Sequence, residues 1–138
     1  MNGNEAKTEW ENPDSAEFLS LDEYIEAINF EVYRNKNEEC FLRIRLWWAF
    51  NDRIRDGKKI FLNKNDKEIY ELNCKKLIEL LNKNTEDEIL MRAELYRNLG
   101  NYIECINILE TMDKDDYPIL KDIIKKECEN NNKNVVEY

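Results

Sequence analysis

Gly100 divides the stretch that most constrains this chain. Before it, Ala93-Glu94-Leu95-Tyr96-Arg97-Asn98-Leu99 has the composition of a helix, and after it Asn101-Tyr102-Ile103-Glu104-Cys105-Ile106-Asn107-Ile108-Leu109 has the composition of a second one. A glycine between two helical segments supplies the left-handed backbone with which one helix closes and the chain reverses. The stretch therefore predicts a helical hairpin. Elsewhere the chain is short of turn residues: 138 residues contain 3 Gly and 2 Pro, fewer than a multi-stranded sheet would use. With 42% hydrophobic and 37% charged residues there is material for one helical core, and the length fits one domain.

Cap signals place the other helices. Ser20 with Glu23 has the spacing of a capping box and starts a first helix at Leu21, whose apolar positions are Leu21, Tyr24, Ile25, Ile28 and Val32. A second helix, from about Glu38 to Asp56, carries Phe41, Leu42, Ile44, Leu46, Trp47, Trp48, Phe50 and Ile54 in nearly every direction, the pattern of a central, buried helix. Gly57 supplies its C-terminal turn, with Lys58 and Lys59 beside the negative end of the dipole. Ile60, Phe61 and Leu62 are expected as an extended connector tucked under the helices. Asn65 with Glu68 predicts a third helix with Ile69, Leu72, Leu77, Leu80 and Leu81 inward, and Thr85 with Glu88 predicts a fourth, ending at Leu99. A fifth is expected from Asn101 to Met112, and a sixth from Pro118, whose ring suits a first helical turn. The expected organisation is an all-α domain over 20–129, with the hairpin at 86–112, an N-terminal arm over 1–19 anchored by Trp10 and Phe18, and a frayed tail over 130–138.

The hairpin resembles the middle of a tetratricopeptide repeat. Ala93 stands at the repeat's small position on the first helix, Tyr96 at its aromatic position one turn later, and Gly100 at the turn. Tyr102, Cys105 and Leu109 follow as the aromatic, small and large apolar positions of the second helix; Met112 is larger than the pattern wants, and Pro118 falls one residue past the closing proline. The match covers Glu88 to Pro118, close to one period of about 34 residues. The resemblance implies a peptide-binding scaffold of about three or more stacked units, so helices one to three would be degenerate repeats or a different helical cap. The connector Gly57–Lys64 departs from repeat spacing, and an ordinary helical bundle containing one repeat-like hairpin is the other architecture.

The formal charge of −9 disfavours phosphate-backbone and anionic-membrane binding. No apolar run approaches the roughly 20 residues that span a bilayer, and Met1 to Glu11 lacks a signal-peptide core, so a soluble, cytoplasmic chain is expected. The abundance of Asn, Lys and Ile points to an AT-rich bacterial coding sequence. Cys40, Cys74, Cys105 and Cys128 form no CxxC pair, and without histidine they read as buried structural thiols, with no metal or cofactor expected.

Catalytic readings find little support. Without histidine the commonest acid–base residue is missing, the isolated Gly3, Gly57 and Gly100 build no phosphate loop, and Asp115-Asp116 and Glu86-Asp87-Glu88 read as helix starts. One cluster stands out in this acidic chain: Arg43, Arg45, Arg53, Arg55, Lys58 and Lys59, interleaved with Trp47 and Trp48. Arginine and tryptophan together have the composition of interface hot spots. The same arginines would also be expected to pair internally with nearby carboxylates, as Asp52 with Arg55 at i, i+3. Trp47 and Trp48 point about 100° apart, so at least one belongs to the core and the other, with the outward arginines, to a site. The expected function is a non-catalytic interaction module that accepts a peptide or partner helix in a groove between helices. The candidate groove residues are Arg45, Trp47, Asn51 and Arg55 on the second helix and Arg92, Asn98 and Asn101 around the hairpin. Self-association through a helical face is the alternative.

Overall fold

The computed structural model describes residues 19–113 and 117–131. Among the described residues the fold is all-helical, with α1 Leu21–Asn29, α2 Lys36–Arg55, α3 Lys64–Leu80, α4 Glu86–Asn98, α5 Tyr102–Leu109 and α6 Pro118–Glu129. The N-terminal arm lies outside the described residues except for Leu19, which packs on the core; Asp115, Asp116 and most of the tail lie outside them too.

Side chains close most of the helix starts. At α1, Ser20 Oγ accepts from the Glu23 amide at 3.2 Å and the Glu23 carboxylate accepts from the Ser20 amide at 2.9 Å, the reciprocal box the sequence predicts. Hydrogen bonds from Ser20 hold the Glu23 carboxyl below its ordinary range. Asn35 caps α2 through the Glu38 amide, and Thr85 caps α4 through the Glu88 amide. For α3 the cap is Asn63, which takes the Asp66 amide at 2.8 Å, while Asp66 reaches back to the Leu62 amide at 3.0 Å. This corrects the expected Asn65–Glu68 pair: the same arrangement sits two positions earlier, because Asp66 is also drawn to Arg53 at 2.9 Å.

Two glycines close helices in the same way. After α2, the Gly57 amide donates to the Ile54 carbonyl and the Lys58 amide to the Arg53 carbonyl; after α4, Gly100 donates to Arg97 and Asn101 to Tyr96. This pair of hydrogen bonds calls for left-handed backbone at the glycine, and φ is +73° at Gly57 and +81° at Gly100. Glu31 adopts the same conformation after α1, at φ +51°, so that helix ends before Val32, which stands outside the predicted apolar face.

Packing produces two cores that meet at α4. The first joins Tyr24, Ala27 and Ile28 of α1, Leu42, Leu46, Trp47 and Phe50 of α2, and Tyr70, Cys74 and Leu77 of α3, with Leu81 and Leu95. Phe61 from the connector completes an edge-to-face trio with Phe50 and Tyr70, ring centroids 5.3–6.2 Å apart. Leu62 beside it is exposed, so the connector buries one face only. The second core joins Ile89 and Ala93 of α4, Cys105 and Leu109 of α5, and Ile124 and Cys128 of α6. Met112 also packs here, just beyond the end of α5 at Leu109, three residues short of the expected end.

Two apolar faces differ from expectation. α3 buries Tyr70, Asn73, Cys74 and Leu77, a single stripe at i, i+3, i+4 and i+7, which turns Leu72 outward at 69% exposure. α2 is not buried all round: Lys36, Asn37, Trp48, Asp52 and Arg55 are exposed, and Arg43, Arg45 and Arg53 are partly buried.

Cross-links between helices fix their directions. Arg43 with Asn73, Asn51 with Tyr70 and Arg53 with Asp66 run in opposite order along α2 and α3, so this pair is antiparallel. Tyr102 with Asn131, Cys105 with Cys128 and Glu110 with Lys125 make α5 and α6 antiparallel as well. α4 and α6 begin side by side, where the Tyr117 hydroxyl donates to Asp87. Residues from the starts of α2 and α4 border one depression, and Trp47 meets Asn98 further along. Hence α2, α4 and α6 run in one direction, with α3 and α5 returning between them.

Candidate interaction groove

The three parallel helices enclose a groove. α2 contributes Trp47 and Trp48, α4 contributes Leu90, Met91 and Glu94, and α6 contributes Leu120 and Ile124, around a volume of about 140 Å³. Its surface is almost wholly apolar, Glu94 being the one charged member among the described residues. Two larger depressions are more polar: about 280 Å³ between α1, α2 and α3, bordered by Glu31, Tyr33, Arg43 and Asn73, and about 400 Å³ where α2 and α4 begin, bordered by Lys36, Glu79, Lys83 and Glu88.

The sequence of α2 explains why one tryptophan stands at the rim. Leu42, Leu46 and Phe50 recur at i, i+4 and i+8 and take the core stripe. Phe41, Arg45 and Trp48 recur at i, i+4 and i+7 on the neighbouring stripe. The Arg45 guanidinium carbon lies 5.1 Å from the Phe41 ring centroid and 5.0 Å from that of Trp48, a cation sandwiched between two rings. Trp48 is 42% exposed, so a large aromatic side chain is held in place at the surface.

Trp47 forms the floor. It is buried, and its indole Nε1 donates to Asn98 Oδ1 at 2.8 Å, a bond that joins α2 to α4 inside the protein. At the groove edge Glu94 is paired with Arg97, whose Nε and Nη2 lie 3.0 and 2.8 Å from the two carboxylate oxygens. Arg97 is fully buried, and the bidentate pairing supports an otherwise costly buried cation.

The residues singled out in the sequence are distributed unevenly. Trp47, Asn98 and Asn51 are buried: the first two hold each other, and Asn51 Oδ1 accepts from the Tyr70 hydroxyl at 3.1 Å. Trp47 still lines the groove as its floor, whereas the reading of Asn51 and Asn98 as groove residues is corrected: both are turned to internal partners and not to the groove. Arg45 sits at the groove rim through Trp48. Arg55 is exposed and bridges Asp52 at 2.9 Å, at the C-terminal end of α2. Arg92 is half-buried and donates to the Lys83 carbonyl and Asn84 Oδ1 at 3.2 and 3.3 Å. Asn101 is exposed at the start of α5, where its side chain makes no capping bond. Of the remaining arginines, Arg43 is engaged by Glu39 and Asn73, and Arg53 by Asp66 and the Ile60 carbonyl.

Leu90, Met91, Glu94, Leu120 and Ile124 were not singled out. On α4 the available signal was the further apolar pair Leu90 and Met91, beside the Ile89–Ala93 stripe that faces α5. Burial holds the Cys74 thiol at about 12 and raises Cys40, so neither is a ready nucleophile. Among the described residues no group of three or more Cys, Asp or Glu is arranged to hold a metal ion, and no helix is long and apolar enough to cross a membrane. No family model matches the chain, and neither a curated protein nor a solved structure matches it.

Proposed function

We propose that this chain is a non-catalytic, cytoplasmic interaction module, tetratricopeptide-like in its α4–α5 hairpin, that receives the apolar face of a partner helix or peptide between α2, α4 and α6. The observation that carries this reading is Trp48, exposed yet fixed by Arg45 at the mouth of an apolar groove. A rigid aromatic beside a hydrophobic depression is the composition of a binding hot spot. A volume of about 140 Å³ suits one or two inserted side chains and falls below the several hundred Å³ of typical metabolite sites. The alternation of three parallel helices with two returning ones supports the repeat-like reading, with the groove on the face shared by the parallel set. The mechanism is helix-in-groove recognition, in which apolar anchors at i, i+3 or i+4 enter the depression.

Selection from a displayed library of amphipathic peptides tests this. The expected outcome is enrichment of sequences with apolar anchors at helical spacing, whose binding falls at least roughly tenfold in Trp48→Ala and Leu120→Gln and survives Ile103→Ala on α5. Enriched peptides that bind all three variants equally would contradict it.

Outward-facing Leu72, bordering the depression between α1 and α3 with Ile25 and Ile69, supports a second reading in which two copies associate through that face. Light scattering over a concentration series tests it: mass rising toward a dimer, and reverting to monomer in Leu72→Lys, is expected, whereas a monomer throughout would rule it out.

A further inference from the structure

Cys105 and Cys128 belong to different helices, yet the antiparallel packing of α5 and α6 places their Sγ atoms 3.1 Å apart. Both are free thiols, 0% and 2% exposed. A covalent S–S bond is about 2.0 Å long, so joining them requires a closure of roughly 1 Å. The fully buried Arg97 guanidinium is the cation that acts on both sulfurs, with Glu94 opposing it. Burial outweighs these charges and keeps both thiols protonated and slow to react while α6 is docked.

α6 is also a helix with little buried surface. Among its residues only Ile124 and Cys128 are buried, and its start is Tyr117, in left-handed backbone at φ +46° with no side-chain cap. Its polar ties to α5 are Tyr102 to the Asn131 carbonyl at 2.7 Å and Lys125 to Glu110 at 2.7 Å. Elements with so little buried surface open before the rest of a fold, and opening α6 exposes Cys128 together with its partner.

We propose that Cys105 and Cys128 are a reversible oxidation site, at which a peroxide joins them into a disulfide that staples α6 to α5. Cys128, as thiolate, attacks one peroxide oxygen; the O–O bond breaks, Cys128 becomes a sulfenic acid, and the other oxygen leaves as water after taking a proton. The Cys105 sulfur then attacks the sulfenic sulfur, the S–S bond forms, and the hydroxyl departs with the remaining proton as a second water. Two thiols lose two electrons, and the peroxide accepts them. If the groove reading holds, the staple also fixes the wall formed by Leu120 and Ile124; formation of the bond does not depend on that reading.

The test uses the full chain carrying Cys40→Ser, which removes the half-buried thiol. Hydrogen peroxide treatment is followed by alkylation under denaturing conditions and peptide mapping. The expected product is about 2 Da lighter, contains a Cys105–Cys128 cross-linked peptide, keeps Cys74 alkylatable, and exchanges its α6 amides roughly tenfold more slowly than the reduced chain. Oxidation is also expected to accelerate in sub-denaturing urea, which opens α6. Recovery of Cys105 and Cys128 as separate alkylated peptides, accumulation of sulfinic acid at Cys128 without a cross-link, or persistence of the mass loss in Cys128→Ser would overturn the proposal.

Discussion

The core beneath α1–α3 is filled with large side chains, and the core beneath α4–α6 is closed by small ones. Phe50, Phe61 and Tyr70 meet edge to face in the first, around Leu42, Leu46 and Leu77. In the second, Ala93 and Cys105 let α4 and α5 approach closely, and these two helices share the most extensive helix–helix contact in the fold. Bulk tolerates separation between helices and is sensitive to deletion, because a lost ring leaves a cavity. Close approach is sensitive to insertion, because there is no space for added atoms.

That contrast yields expected outcomes in order of size. Phe50→Ala should cost about 3–5 kcal/mol in urea unfolding, whereas the same truncation at exposed Phe30 should cost little. In the second core the sensitivity reverses: Ala93→Leu should cost about 1–3 kcal/mol by overpacking, and a stabilising or neutral result would show that α4 and α5 are not in close contact. Asn98→Ala removes the acceptor that Trp47 Nε1 reaches across the two cores and should cost about 1–3 kcal/mol. If unfolding then splits into two transitions, that bond is what couples the halves. Gly100→Ala, at φ +81°, should cost about 1 kcal/mol, with Gly57→Ala close to it since both close helices alike.

The smallest expected effect is acid sensitivity in both halves. Burial tends to raise Asp66, but the Leu62 amide and Arg53 prevail and hold its carboxyl below the ordinary value; Lys125 does the same for Glu110 by hydrogen bond and charge. A carboxyl lowered in the folded state adds stability above its unfolded pKa and loses it as pH falls through the folded value. Stability should therefore decline below about pH 4, and Asp66→Asn should be less stable at neutral pH with a shallower acid dependence. An unchanged slope would mean that the Arg53–Asp66 pair contributes nothing.

Legibility in the sequence follows the same division. The hairpin was readable because its information is local: a glycine at the turn, a small residue one face away, a cap at Thr85. α2 was not, because its apolar residues exceed one stripe. Periodicity alone could not decide whether Trp47 or Trp48 is core; the decision comes from Asn98, remote in sequence, which offers the indole its acceptor. The same non-local choice buried Asn51 against Tyr70 and turned Leu72 outward once Tyr70, Cys74 and Leu77 had claimed the inner face of α3. The groove was hidden for a related reason, since Leu90, Met91, Leu120 and Ile124 become neighbours only when α4 and α6 pack in parallel. Cys105 and Cys128, read as separate thiols, meet through the antiparallel return of α6.

The most direct test of the groove is a methyl and indole NMR titration with an amphipathic peptide taken from the library selection. The expected result is a shift of the Trp48 indole and the Leu90, Met91, Leu120 and Ile124 methyls, with Leu72 and Ile103 unmoved. Shifts confined to Leu72, Ile25 and Ile69, or to α5, would contradict the assignment of α2, α4 and α6 as the binding face.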